Sequence, residues 1–247
     1  MQKGFKNEKN FAKILDNKKV NQLPLKFREI IYTLFKNTNQ DSFVECWQSK
    51  YFEKADIKIK INNEVKGISI KTGKYCSMHQ ETIYSLYPFF KKIGIEENII
   101  KKFDKYLQGY VNDKRVDAVT YTFHHYNEIR EIFDKLNEYY VKVNLILRFI
   151  FQGTEKQNYG CDAIILGTPD NFLWATKDEI LDYLIKYPKQ ETIYLKFSAL
   201  NIKSYDRNLK NNLTKKAKQN EIQVKWYTIK DDLEIIEKAR EKNRLKS

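Results

Sequence analysis

The sequence predicts one α/β domain, with a central mixed sheet flanked by helices. Three observations point there. Residues 56–61 (DIKIKI) alternate apolar and polar side chains with the period of a half-buried strand. Segments before and after them, such as 25–36, carry apolar residues at helical spacing. The third is the scarcity of breakers. Four prolines and eight glycines in 247 residues leave no flexible linker, and no internal repeat is present.

In order, residues 4–15 (GFKNEKNFAKIL) read as a helix with Phe5, Phe11, Ile14 and Leu15 on one face and Glu8 near its edge. Pro24 suits the first turn of a second helix, 25–36. Residues 43–52 are aromatic-rich and fit either element. The strand 56–61 then runs into Asn62-Asn63, a pair that tolerates the positive φ of a hairpin turn. The return strand, 65–71 (VKGISIK), is closed by Thr72-Gly73-Lys74. A short loop leads to helices at 82–92 and 95–107, with Glu81 entering on the first and Gly94 between them. Residues 109–115 read as a polar loop, and 127–147 as one long helix whose last third could be a strand.

Residues 161–166 (CDAIIL) form a short buried strand, with 172–175 able to pair beside it. Thr176 and Glu179 have the spacing of a capping box for a helix at 177–187. Residues 192–198 and 222–228 are strand-like. The basic stretch 206–219 lies between them, and a helix covers 230–246.

Charge narrows the function. Forty-five Lys and Arg against 32 Asp and Glu give a net +13. A surplus of this size suits a polyanionic partner, either nucleic acid or an acidic membrane surface, although an AT-rich genome also inflates lysine. No apolar run reaches the roughly 18 residues of a membrane span, and the N-terminus lacks a signal-peptide pattern. Three scattered cysteines, with no CxxC pair, support neither a zinc ribbon nor a disulfide framework. These features predict a soluble cytoplasmic protein with free thiols.

The chemistry concentrates in residues 55–81. Pairing about Asn62-Asn63 sets Asp56 opposite Ser69, with Lys71 just beyond, so a carboxylate and an amine become neighbours. Carboxylates with a backbone carbonyl are hard-oxygen ligands for a divalent ion, and a lysine beside them can position a water and stabilise developing charge.

These residues resemble the PD-(D/E)xK nuclease superfamily of restriction endonucleases and Holliday-junction resolvases. Ala55-Asp56 matches the "PD", and Ser69-Ile70-Lys71 matches the "(D/E)xK". Alanine replaces the proline, and serine replaces the second acid, as in one restriction-enzyme branch whose glutamate has migrated to the next helix. Over residues 4–90 the resemblance implies a restriction-endonuclease-like core in one nuclease domain, 1–247. Residues 1–90 would be its catalytic half, and 91–247 a helical, basic half completing the sheet.

It further implies Mg²⁺- or Mn²⁺-dependent hydrolysis of DNA in a restriction or phage-defence setting, with homodimers common among such enzymes. Asp56, Glu81 and the carbonyl of Ile70 would hold the metal, Glu8 would be a further acid, and Lys71 would assist the attacking water. A non-catalytic nucleic-acid binder on this fold and an RNase are the alternatives.

The resemblance also implies a DNA contact for Gln80, with Ser69 and His79 as further candidates for nucleic-acid contact. Arg207, Lys210, Lys215 and Lys216, with Lys225 nearby, form the densest basic cluster and suit phosphate contact. The pair His124-His125 lacks metal-ligand spacing. Ser77 lacks a Gly-x-Ser-x-Gly context, and the TGK at 72–74 lacks the upstream glycines of a P-loop. Asp162 reads as a strand-end aspartate bonded to backbone.

Overall fold

A computed structural model describes residues 3–50, 53–73, 76–154, 160–189, 194–204 and 220–245. In chain order the helices are α1 (Lys3–Leu15), α2 (Leu25–Leu34), α3 (Ile83–Lys92), α4 (Glu97–Gln108), α5 (Ala118–His124), α6 (Tyr126–Leu136), α7 (Tyr139–Ile146), α8 (Lys177–Lys186) and α9 (Ile229–Arg244). The strands are β1 (Lys18–Lys19), β2 (Phe43–Gln48), β3 (Ile57–Ile61), β4 (Glu64–Lys71), β5 (Cys76–Thr82), β6 (Tyr110–Val111), β7 (Lys114–Arg115), β8 (Ala163–Thr168), β9 (Asn171–Thr176), β10 (Lys196–Phe197), β11 (Leu200–Ser204) and β12 (Glu221–Trp226). Among the described residues no helix is long and apolar enough to cross a membrane.

The chain divides into two compact units. The first takes residues 1–74, 151–180 and 229–247. Its mixed sheet has the order β1-β2-β3-β4-β8-β9, antiparallel throughout except for the parallel pair β4–β8. The predicted hairpin is present, with Asn62 in the left-handed region and Ile57 opposite Ile68. Ile57, Ile59, Ile61, Ile68 and Ile70 face a core built with Phe11 and Leu15 of α1 and Phe27, Ile30 and Ile31 of α2. Gly67 has no room for a side chain, because a Cβ there would lie 2.5 Å from the carbonyl of Gly160 and 2.8 Å from Cβ of Ala55.

The capping box at Thr176 is formed. The Glu179 carboxylate accepts from the Thr176 N–H at 2.8 Å, and the Thr176 hydroxyl accepts from the Glu179 N–H at 3.2 Å. Arg240 of α9 binds the same carboxylate and lies 3.7 Å over the Trp174 ring.

The second unit takes residues 75–150 and 181–228. Its antiparallel sheet has the order β10-β11-β12-β5. Three expectations change here. Residues 76–82 form a strand rather than a loop and the start of a helix. The polar loop at 109–115 is a small hairpin, turned by Asn112 and Asp113, both at positive φ. The long helix at 127–147 is broken between α6 and α7. The side chain of Asn137 bonds the Phe133 carbonyl at 2.8 Å and accepts from the Ser198 N–H at 3.1 Å, which ends the first helix. A π-helical turn, Leu147–Gln152, follows α7.

All three cysteines are buried thiols, and burial pushes the Cys46 and Cys161 thiols up to about 12. The basic cluster residues Arg207, Lys210, Lys215 and Lys216 lie outside the described residues.

Candidate active site

The hairpin delivers Asp56 to the end of the first unit's sheet. Oδ2 of Asp56 receives three hydrogen bonds, from Ser69 Oγ at 2.9 Å, the Ile70 N–H at 2.6 Å and Lys71 Nζ at 3.2 Å. The expected juxtaposition of Asp56, Ser69 and Lys71 therefore holds. All three donors fall on one carboxylate oxygen, and Oδ1 takes no hydrogen bond among the described residues. Two of these bonds fix the rotamer, and the third is charge-assisted. The Asp56 and Lys71 side chains remain 25% and 19% exposed, open enough to meet a ligand.

The backbone contributes as well. In a strand, a residue's N–H and C=O point to the same neighbour. Beyond the end of β3, Ile70 has lost its strand partner, and Asp56 takes its N–H. Its carbonyl thus faces the same side, beside the carboxylate.

Glu8 comes from α1. Asn7, one residue earlier, donates from Nδ2 to the Gly167 carbonyl at 2.9 Å and ties the helix to the strand next to Lys71. Partial burial and the nearby charge of Asp56 push the Glu8 carboxyl above its ordinary range, while Gln48 and Lys71 oppose the rise. Gln48 reaches Glu8 Oε2 at 3.5 Å and the Phe5 carbonyl at 3.3 Å. Sequence reasoning missed Gln48, whose segment fitted two elements. The alternation of buried Val44 and Cys46 within β2 is the signal that could have placed it.

Two carboxylates held close together against their own repulsion, with a lysine beside them, make a site that favours a cation. Among the described residues no cluster of three His, Cys, Asp or Glu side chains surrounds one point. The donors present are nonetheless those a small hard ion uses. Mg²⁺ commonly binds through one or two carboxylates and keeps several waters, and Asp56, Glu8 and the Ile70 carbonyl fit that set.

Other expected site residues have internal partners of their own. Glu81 is on β5 in the second unit, buried at 6% exposure. Arg148 binds its carboxylate at both oxygens, Nε to Oε1 at 3.0 Å and Nη2 to Oε2 at 2.7 Å. His79 Nε2 lies 3.1 Å from Oε1. Burial alone would raise the Glu81 carboxyl, but His79 and Arg148 hold it down at about 2. The acid expected to complete a metal site is therefore engaged in an internal ion pair, through an arginine that sequence reasoning missed.

His79, expected to meet DNA, is buried with its ring 5.3 Å from that of Phe149. Ser69 is 1% exposed, and its hydroxyl donates to Asp56. Gln80 and Lys225 do lie on one surface of the second unit's sheet, where Gln80 donates to Glu221. Asp162 is a backbone-bonded strand-end residue, accepting from the Gly67 N–H at 2.8 Å.

No family description and no curated protein matches this sequence. The structure is similar to that of restriction endonuclease MspI, solved in complex with its cognate DNA. The TM-score is 0.55 over 88% of this chain and 87% of that one, at 14% sequence identity. The fold is restriction-endonuclease-like. At that identity the likeness establishes architecture, a mixed sheet flanked by helices, and the expected fold class is borne out.

Proposed function

We propose that this protein is a divalent-metal-dependent DNA endonuclease of the PD-(D/E)xK type, serving restriction or phage defence. The observation that carries the reading is the clamp on Asp56. One hairpin brings Asp56, Ser69, the Ile70 backbone and Lys71 together, with Glu8 alongside. Its setting, a fold shared with a restriction endonuclease seen on DNA, supports the substrate class.

Asp56, Glu8 and the Ile70 carbonyl would hold Mg²⁺ or Mn²⁺. When bound, such an ion neutralises phosphate charge and makes a coordinated water more acidic. The rest follows from the chain's own groups. Ser69 and the Ile70 N–H hold the Asp56 carboxylate in one orientation through Oδ2, leaving Oδ1 with no hydrogen bond among the described residues. The Lys71 ammonium, steered by Asp56, donates hydrogen bonds to an attacking water or to the phosphoryl oxygens as their charge grows.

Supercoiled plasmid tests this. Wild type should nick it with Mg²⁺ and not with EDTA, and Lys71→Ala should lose the activity; equal nicking by Lys71→Ala refutes the assignment.

A second reading, a non-catalytic nucleic-acid binder, is favoured by one observation. Serine occupies the second-acid position, and the Glu81 carboxylate is held by Arg148. That reading predicts salt-sensitive binding without metal-dependent nicking.

A further inference from the structure

The sheet of the second unit has a face that its core does not use. Along β12, Ile222, Val224 and Trp226 are buried, while Gln223 and Lys225 alternate onto the other side. The strand register carries this pattern across neighbouring strands. Lys196, Asn201, Lys225 and Ser77 form one cross-strand row, and Lys203, Gln223 and Gln80 form the next.

Neither row contains an acid; Glu221, one row further on the same face, is taken up by Gln80. Lys203 Nζ stands over the rings of Tyr194 at 5.7 Å and Tyr227 at 5.0 Å. Asn201, Gln223, Lys225 and Ser77 make no side-chain hydrogen bond or ion pair among the described residues. Two amides and an ammonium therefore stand side by side, with their donors and acceptors unengaged by the protein. Charge does suggest a partner, because the rows are wholly basic or neutral and the chain carries a net +13.

We propose that the β11–β12 ribbon reads duplex DNA in the major groove, with the amides of Asn201 and Gln223 on base edges, Lys203 on a guanine edge and Lys225 on phosphate. The groove, about 12 Å wide, admits a two-stranded β-ribbon. Asn and Gln pair with adenine through two hydrogen bonds, and Lys contacts guanine. The register sets Asn201 opposite Lys225 and Lys203 opposite Gln223, so the two amides are diagonal neighbours about 7–8 Å apart, roughly two base-pair steps of about 3.4 Å. The choice of DNA as substrate class rests on the nuclease reading above.

The test uses the full chain with Ca²⁺ in place of Mg²⁺, so that binding is read without cutting. Wild type first selects its preferred duplex from a random-sequence pool. Affinity for that duplex and for a scrambled one is then measured at two salt concentrations. Asn201→Ala/Gln223→Ala should reduce the selected-to-scrambled ratio by about 10-fold or more, with scrambled binding little changed. Lys225→Ala should weaken both duplexes evenly and lower the salt slope by about 1. Each variant is compared only after its melting temperature matches wild type.

A ratio unchanged in the double variant overturns the proposal. So does a wild type with no preferred duplex, or one that prefers RNA. Plasmid nicking by the same proteins separates the two readings. Sequence preference without nicking removes the nuclease reading and leaves the ribbon's role standing. Nicking with an unaltered ratio in the double variant removes the ribbon's role alone.

Discussion

Replacing Glu81 with Gln separates a structural carboxylate from a catalytic one. In the structure Glu81 is buried against Arg148 and His79. A carboxyl held at about 2 rather than 4.5 corresponds, at about 1.4 kcal/mol per pH unit, to about 3 kcal/mol of stability. Breaking a buried pair from one side costs about 3–5 kcal/mol by mutational precedent, because the remaining charge is left buried. The two figures agree in size.

For a chain of this length, about 2–4 °C per kcal/mol makes the expected fall in melting temperature about 6–12 °C at pH 7. The pH dependence has a definite sign. The folded-state pKa lies below the unfolded one, so the contribution is complete above about pH 4.5 and fades as pH falls toward 2. The stability gap between wild type and Glu81→Gln should close over that window. Thermal and urea denaturation across pH measure it. A variant that melts with wild type yet loses metal-dependent cutting would refute the structural assignment and return Glu81 to the metal site.

Two further perturbations address the first unit. Gln48→Ala removes a hydrogen bond that holds the Glu8 carboxyl down. Metal ligands must be deprotonated, so the acid limb of Mg²⁺-dependent cleavage should move to higher pH with the alkaline plateau unchanged. A limb that stays in place contradicts the coupling of Gln48 to Glu8. Gly67→Ala forces a methyl onto the backbone of Gly160 and onto Ala55, the neighbour of Asp56. It should cost about 1–3 kcal/mol, read as a lower urea midpoint, with cleavage falling too; an unchanged midpoint would show that the strands have room.

What was legible in the sequence follows physical lines. The hairpin could be read because 56–61 alternates cleanly and its turn residues tolerate positive φ, so register alone set Asp56 against Ser69 and Lys71. The capping box was legible because its partners are three residues apart. β5 was not, and the reason is local. Val224 pairs with His79 but Lys225 with Ser77, leaving Met78 as an extra residue in a bulge. Met78 and His79 are both buried as a result, the alternation breaks, and the segment stops looking like a strand.

That break also hid the fate of Glu81. Its partner Arg148 is far away in sequence, in a π-helical turn whose register no periodicity announces. Gln48 was hidden for a related reason, since its role depends on where α1 lies over the sheet.

The central claim is that the Asp56 clamp is a hydrolytic metal site, and the isosteric Asp56→Asn variant tests it most directly. Single-turnover cleavage of supercoiled plasmid in Mg²⁺ should be slower than wild type by about 100-fold or more, the scale of losing one charge-stabilising group in an active site. The variant's melting temperature in EDTA should stay near that of wild type, while the stabilisation that Mg²⁺ gives wild type disappears. Cleavage by Asp56→Asn at the wild-type rate would contradict the account.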